Sequence, residues 1–288
     1  MRPQHRHPHG SRRQRGFTLL EAVVVIMMIG VVAAMVGSFI RKPIDAYTDQ
    51  ARRAALSDAA DMALRRVSRD VAQALPNSLR IDSTGTRLEM LPVSVAGRYR
   101  AAAGTAAGEL DLLETDRASD TSFQVLGPPV DVASGDQLVI YNLGISGADA
   151  YAGDNRRALT SLGSGLSTLT FTGTGSPFPF DSPGARFHIV NTPVTLACNP
   201  SASSTTGTLQ RLAGYAIQSA QPTNLAAAPL AALSGRNNSV LADHVSACSF
   251  TFSSGNAQRT GILTLSLTLS DNGESVTLQQ QVLVSNTP

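Results

Sequence analysis

The chain opens on one long apolar block. No residue of 22–40 carries a charge (AVVVIMMIGVVAAMVGSFI). As a helix at ~1.5 Å per residue, residues 17–40 span about 36 Å, enough to cross a ~30 Å hydrocarbon core. Past Pro43 the pattern changes. Residues 45–75 lack Gly and Pro, and Leu56, Ala60, Ala63, Val67, Val71 and Leu75 recur three or four positions apart, which is one face of a helix. Arg52, Arg53, Asp58, Asp61, Arg65, Arg66, Arg69 and Asp70 supply polar positions. Pro76-Asn77 stops the run, and Pro43 predicts a kink between its halves.

From residue 79 onward the pattern shortens to strand-like runs between turn signals: 88–91, 122–126, 137–141, 166–171, 186–190, 194–198, 209–217 and 247–252. The clearest pair closes the chain. Leu263, Leu265, Leu267 and Leu269 alternate with Thr264, Ser266 and Thr268; Asp271-Asn272-Gly273 follows, and 275–284 returns. That is a hairpin with one buried face. Stretches 101–108, 201–207 and 222–239 read as loops, and there is no internal repeat. The expected fold is α+β: a long N-terminal helix, membrane-spanning then amphipathic, packed on a β-rich globular head.

Charge changes the picture at one place. The net charge of +2 is unevenly spread. Arg2, Arg6, Arg12, Arg13 and Arg15 lie in residues 1–16 without an acid, which leaves 18 basic against 21 acidic side chains beyond, near −3. The pI of about 8.7 thus describes the first residues and gives no support to nucleic-acid binding. More positive charge precedes the apolar block than follows it at Arg41 and Lys42, so the positive-inside rule puts residues 1–16 in the cytoplasm and the rest beyond the inner membrane. An ordinary secretory signal is the competing reading. The block exceeds the usual ~7–15 apolar residues, and only Val32-Ala33-Ala34 offers a weak cleavage site.

Glu21 breaks the apolar pattern at its cytoplasmic edge. An acid costs ~2.5–3.5 kcal/mol at mid-bilayer, less near an end, and asks for a partner. Arg15-Gly16-Phe17-Thr18-Leu19-Leu20-Glu21 followed by the apolar block resembles the type IV prepilin processing site. The resemblance implies cleavage after Gly16 by a prepilin peptidase, methylation of the new amine of Phe17, and pairing of Glu21 with the amine of a neighbouring subunit in the filament core. It also implies the other partners: major and minor pilins, an inner-membrane assembly platform and the lipid bilayer. Segments follow from it: leader 1–16, membrane and filament-core helix 17–42, amphipathic continuation 43–76, and a β-rich periplasmic pilin head 77–288. Many pilins carry Pro at the twenty-second mature residue; here that position is Ser38, so the family's bend is absent or moved to Pro43.

Residues 38–81, GDQLVIYNLG (135–144), ADAYAGDNRR (148–157) and LADHVSACSF (241–250) resemble MshO-like minor pilins of the mannose-sensitive haemagglutinin (MSHA) pilus system. The implied function is a minor subunit that initiates or caps a pilus used in cell adhesion. The alternatives are a type II secretion pseudopilin and, in another class, a membrane-tethered module for a surface ligand.

The remaining chemistry is sparse. Cys198 and Cys248 are the only cysteines and both lie in the exported part, where an oxidising periplasm permits a bridge; two free buried thiols are the alternative. The closed loop would stabilise by roughly 4 kcal/mol in the chain-entropy model. His5, His7 and His9 lie in the leader, and His188 and His244 fall in strands or at their edges. Asp149, Asp154 and Asn155 offer calcium-type oxygens without regular ligand spacing, so a solvated turn is favoured over a metal site. No nucleotide-binding loop or nucleophile elbow is present. The expectation is a non-enzymatic chain with no catalytic residue, metal or cofactor.

Overall fold

The computed structural model describes residues 16–104, 111–202, 206–254 and 260–285. Leader residues 1–15, with their arginines and His5, His7 and His9, lie outside the described residues, as do 105–108 and 203–205 of the expected loops. The chain divides into two units, Met1–Ala51 and Arg52–Pro288. Helix α1 (Leu19–Ala72) supplies most of the first and the start of the second.

Both predicted halves of the helix are present, and the helix continues through Pro43. It begins at Leu19 rather than Phe17. It also ends three residues before Leu75, for a local reason. Gln73 and Ala74 donate to carbonyls three residues back, at 3.2 and 3.1 Å, which tightens the last turn. Leu75 N–H then donates to Leu91 O at 2.7 Å, and Val93 N–H to Gln73 O at 2.8 Å. The backbone leaves the helix to pair with residues 91–93, and Leu75 stays fully buried.

Sixteen strands follow among the described residues: β1 (Arg80–Ile81), β2 (Arg87–Met90), β3 (Val93–Tyr99), β4 (Ser122–Leu126), β5 (Val130–Val132), β6 (Gln137–Ile140), β7 (Arg156–Ala158), β8 (Gly163–Leu166), β9 (Thr168–Thr170), β10 (Arg186–Val190), β11 (Val194–Asn199), β12 (Thr208–Ala213), β13 (Asn238–Ala242), β14 (Val245–Ser253), β15 (Gly261–Asp271) and β16 (Glu274–Val284). They form antiparallel sheets in the orders β1-β2-β11-β12-β13, β7-β6-β10-β3-β4-β9, β14-β15-β16 and β5-β8. The α+β class expected from the pattern is the one observed.

Two departures have physical causes. The run 166–171 splits into β8 and β9, which pair with different partners, β5 and β4. Strand β3 was not among the expected runs: its burial alternates from Val93 to Tyr99, but Gly97 stands at one of the inward positions and gives no apolar signal there. A Cβ there would lie 2.6 Å from Cζ of Phe187, so the ring on the neighbouring strand takes the space of a side chain.

In the second unit α1 packs against two sheets at once. Leu56, Ala60, Ala63, Leu64, Val67 and Val71 share one cluster with Leu88 and Met90 of β2, Val194 and Leu196 of β11, and Leu263, Leu265, Leu267 and Leu269 of β15. The 3.6-residue face of the helix meets the 2-residue face of the hairpin. Asp70, buried at the edge of this contact, accepts a 2.7 Å hydrogen bond from Arg211 Nε of β12 and faces Arg66 at 3.6 Å. Arg53 pairs with Glu274 at the start of β16. A second cluster, centred on Phe123 and Phe187 with Tyr99, Phe171 and Phe178 around them, fills the six-stranded sheet's side.

The hairpin turn holds Asn272 and Gly273 at φ 46° and 88°. That is the primed turn, whose twist matches the strands. Asp271 pairs with Glu274 and the register runs unbroken to Gly261 with Val284. Truncating a buried leucine of this face should cost ~2–5 kcal/mol, while an outward side chain on β16 should matter by under about 0.5 kcal/mol. Leu267→Ala should thus lower the denaturation midpoint of the detergent-solubilised protein far more than Gln279→Ala. Equal midpoints for the two variants would mean that the hairpin's buried face is wrongly assigned.

Candidate membrane-spanning and processing segment

The site is built from residues 16–37. Gly16, Phe17 and Thr18 precede the helix. Thr18 caps it: Glu21 N–H donates to Thr18 Oγ1 at 3.3 Å and Ala22 N–H to Thr18 O at 3.1 Å. Thr-x-x-Glu is the spacing of a capping box, and Glu21 lies in the first turn, where the helix dipole favours an acid. Glu21 thus has a role within its own chain, and its side chain is exposed.

Gly16 is unconstrained. A Cβ there would meet nothing within 4 Å, and its φ is not positive. The fold of this chain gives no reason for glycine at that position.

Beyond the cap, residues Leu19–Gly37 have a mean hydropathy of 2.7, and none of that window is buried. Val23, Val24, Ile26, Met27, Ile29, Val31 and Val32 are all exposed. Successive residues of a helix point 100° apart, so the apolar surface runs all the way round. Nineteen residues rise about 28 Å, the thickness of a hydrocarbon core. A surface of this kind is solvated by lipid tails or by other helices.

With this geometry the comparison with known families is specific. Residues 11–37 match the model of the prokaryotic N-terminal methylation motif. That motif is type IV prepilin-like. It implies processing by a prepilin peptidase and assembly with other pilin-type subunits, and the apolar helix fits a single-pass inner-membrane anchor. No curated protein and no solved structure matches the chain.

The head holds the other singled-out residues. Cys198 of β11 and Cys248 of β14 form a disulfide, with Cα atoms 6.3 Å apart. The bridge ties the five-stranded sheet to the three-stranded one. The loop between β1 and β2 adds to that junction: Phe250 N–H donates to Gly85 O and Cys198 N–H to Thr86 O, at 2.8 and 2.9 Å. Asp82 holds the loop by accepting from Thr86 and Arg87 N–H, both at 2.8 Å. Asp149 and Asp154 are turn acceptors too. Asp149 takes Tyr151 N–H at 2.9 Å and Asp154 takes Asp149 N–H at 3.2 Å. The Asn155 amide points elsewhere, to Tyr141 O at 3.1 Å. Among the described residues no group of three or more metal-ligating side chains is assembled.

One polar centre left no sequence signal. Glu89 is fully buried, with Arg80 Nε at 2.6 Å and Tyr215 Oη at 2.8 Å. Thr195 Oγ1 lies 2.5 Å from the same phenol, and the Arg80 guanidinium stacks 3.6 Å from the Tyr151 ring. Burial pushes the Glu89 carboxyl up, against the lowering effect of Arg80 and Tyr215. Arg80 also donates to Ser219 O and Gln218 O at 2.7 and 2.9 Å, so the cluster clasps the stretch after β12 onto the sheet. Strand β2 is covered on both faces from Leu88 to Met90, so no alternation marks the acid as buried. The Thr18 cap was not read from the sequence, although its Thr-x-x-Glu spacing could have shown it.

His188 is structural. It sits on β10 between Ala96 and Val139, with Nδ1 buried and no hydrogen-bond partner among the described residues. Burial, with the Arg186 charge second, pushes it down from 6.5 to about 4. The fold holds the neutral ring. Its stabilisation is complete above pH 6.5 and is lost as pH falls toward about 4, by roughly 2 kcal/mol between pH 7 and 4.5. His188→Leu should flatten the stability profile by that amount over this range. An unchanged profile would show that protonation elsewhere governs the acid limb.

Proposed function

We propose that this chain is a minor subunit of a type IV pilus-class filament, of the MSHA type. The observation that carries the reading is the join of RGFTLLE to a helix apolar on every side. A secretory anchor needs only the second feature. The first adds an acid that membrane insertion disfavours and a glycine that the fold does not require.

In this account the peptidase cuts after Gly16, whose bare backbone fits a narrow cleft, and the amine of Phe17 is methylated. The helix waits in the inner membrane with the head in the periplasm, where the disulfide forms. Assembly then exchanges lipid contacts for contacts with other pilin helices. Glu21 pairs with the amine of a neighbouring Phe17, so two charges held in an apolar medium neutralise one another, and a shift by one residue would leave both unpaired. The chain itself is not an enzyme. A separate assembly motor supplies the work. The four stretches similar to MshO-like minor pilins support the finer reading, and a 288-residue chain is large for a major subunit.

Coexpression with a prepilin peptidase should yield a mature protein whose intact mass begins at Phe17. Gly16→Leu should leave the precursor uncut while the head still folds, because a side chain there meets nothing in the chain. A mature start at any other residue would sink the assignment.

A further inference from the structure

The three-stranded sheet β14-β15-β16 has two edges, and they differ. At the β14 edge the backbone is paired. Phe250 N–H donates to Gly85 O at 2.8 Å, Val245 N–H to Gly207 O at 3.1 Å, and Ser201 N–H to Val245 O at 3.0 Å. The β16 edge is bare. The two-residue turn at Asn272-Gly273 makes Asp271 and Glu274 a hydrogen-bonded pair, and such pairs alternate along the ribbon. Val276, Leu278, Gln280 and Val282 therefore aim their backbone groups at β15. Ser275, Thr277, Gln279, Gln281 and Leu283 aim theirs the other way, and among the described residues no backbone group meets them. Natural sheets blunt such an edge with a short strand, charges, proline or a bulge. Strand β16 has none of these. It runs for 11 residues in unbroken register, and residues 275–284 contain no charge and no proline. The end strands of the two larger sheets are much shorter: β1 has 2 residues, β7 and β9 have 3, and β13 has 5.

We infer that the free edge of β16 is a docking strand, which takes an extended, uncharged segment of a different protein subunit by main-chain hydrogen bonding. The spacing names the occupant. Donors and acceptors recur along the edge every two residues, about 6.8 Å, which is the repeat of another β-strand. The side chains set its composition. Val276, Leu278 and Val282 face the core but are only half covered, because the sheet ends beside them. A segment laid along the edge would complete that cover with apolar residues at every second position. On the other face Ser275, Thr277, Gln279 and Gln281 are exposed and polar, so the alternate residues of the segment should be Ser, Thr, Asn or Gln. Leu283, 70% exposed near the end of the strand, adds one apolar contact on that face. A charged residue in the segment would meet no counter-ion along 275–284.

That the segment belongs to another filament subunit rests on the proposed function. A low-copy subunit is surrounded by chains other than its own, so the segment is not a second β16. The N-terminal helix would then hold the chain in the filament core, and the β16 edge would select which head lies beside it. Main-chain pairing is insensitive to salt, unlike a contact between surface charges.

The test uses the full-length chain, tagged and purified in detergent from cells that carry the peptidase, with and without the other pilin-type subunits. Hydrogen exchange is read residue by residue by mass spectrometry. In the chain alone, the amides of Ser275, Thr277, Gln279, Gln281 and Leu283 should exchange at least about tenfold faster than those of Val276, Leu278, Gln280 and Val282. In the complex they should slow by at least about tenfold. Gln279→Pro removes an N–H that no in-chain group uses, so the head should keep its denaturation midpoint while recovery of partner subunits falls roughly fivefold. Gln279→Ala keeps the N–H and should hold recovery within about twofold. If Gln279→Pro lowers the midpoint, the exchange of the wild-type chain decides alone. Edge amides that stay fast in the complex, an equal loss with Gln279→Ala, or recovery of a second copy of this chain in place of a different subunit would overturn the docking strand. Cleavage before Phe17 is read in the same samples. Cleaved chain that recovers other subunits while its edge amides stay fast sinks the docking strand alone, whereas uncleaved chain sinks the filament reading and the docking strand with it.

Discussion

A helix that is apolar on every side has no stable place in water. Residues 19–37 form such a helix, and none of that window is buried among the described residues. Each buried leucine- or valine-sized side chain is worth ~1.5–3 kcal/mol, so the segment must be surrounded by lipid or by protein at all times. The other features of the N-terminus answer that demand. A single acid at its edge makes the segment less than ideal as a permanent lipid anchor, and the amine freed by cleavage would supply the partner that the acid lacks in lipid. The segment is thereby suited to be handed from one apolar solvent to another.

The same helix changes role along its length. From Leu19 to Gly37 its surface is apolar on every side apart from Glu21. From Leu56 to Val71 it is two-sided, with one face in the core beside β2, β11 and β15 and the other carrying Asp58, Arg65 and Arg69. Helix and head in the second unit are held together by apolar packing, with Asp70 and Arg211 at its edge. The Cys198–Cys248 bridge and the Gly85–Phe250 contact lie on the sheets beneath that packing, where they fix the two layers the helix rests on. A head built this way can be carried by the helix without depending on the membrane segment for its own core.

Much of this was legible from period alone. The face 56–71 was read from steps of three and four, and each of its predicted positions is buried. The Leu263–Leu269 alternation gave the hairpin, because a half-buried antiparallel ribbon writes its burial into the sequence. Where both faces of a strand are covered, the code is lost. Glu89 lies among Leu88, Met90 and Leu91, all buried, and nothing in that order announces a buried carboxylate. Strand β3 was hidden by Gly97, whose purpose is to admit Phe187 from a strand ninety positions away. The end of α1 was misplaced because Leu75 obeys the helical period although its backbone has already turned to Leu91. Chemistry at the N-terminus was readable because it depends on neighbours in sequence. Pairings such as Asp70 with Arg211 were not, because they depend on the fold.

The central claim is that the Glu21 side chain serves assembly, beyond its place in the first turn of its own helix. It is tested most directly by partner recovery from membranes after coexpression with the other pilin-type subunits. Glu21→Val removes the cost of an acid in the bilayer and leaves the head untouched, so the chain should be cleaved and should accumulate in the inner membrane as well as wild type. It should recover far fewer partner subunits, because the neighbour's amine is left as a lone buried charge, at a cost of ~3–5 kcal/mol. Glu21→Asp, which keeps the charge and shortens the reach, should fall between. Undiminished recovery and filament formation with Glu21→Val would contradict the account.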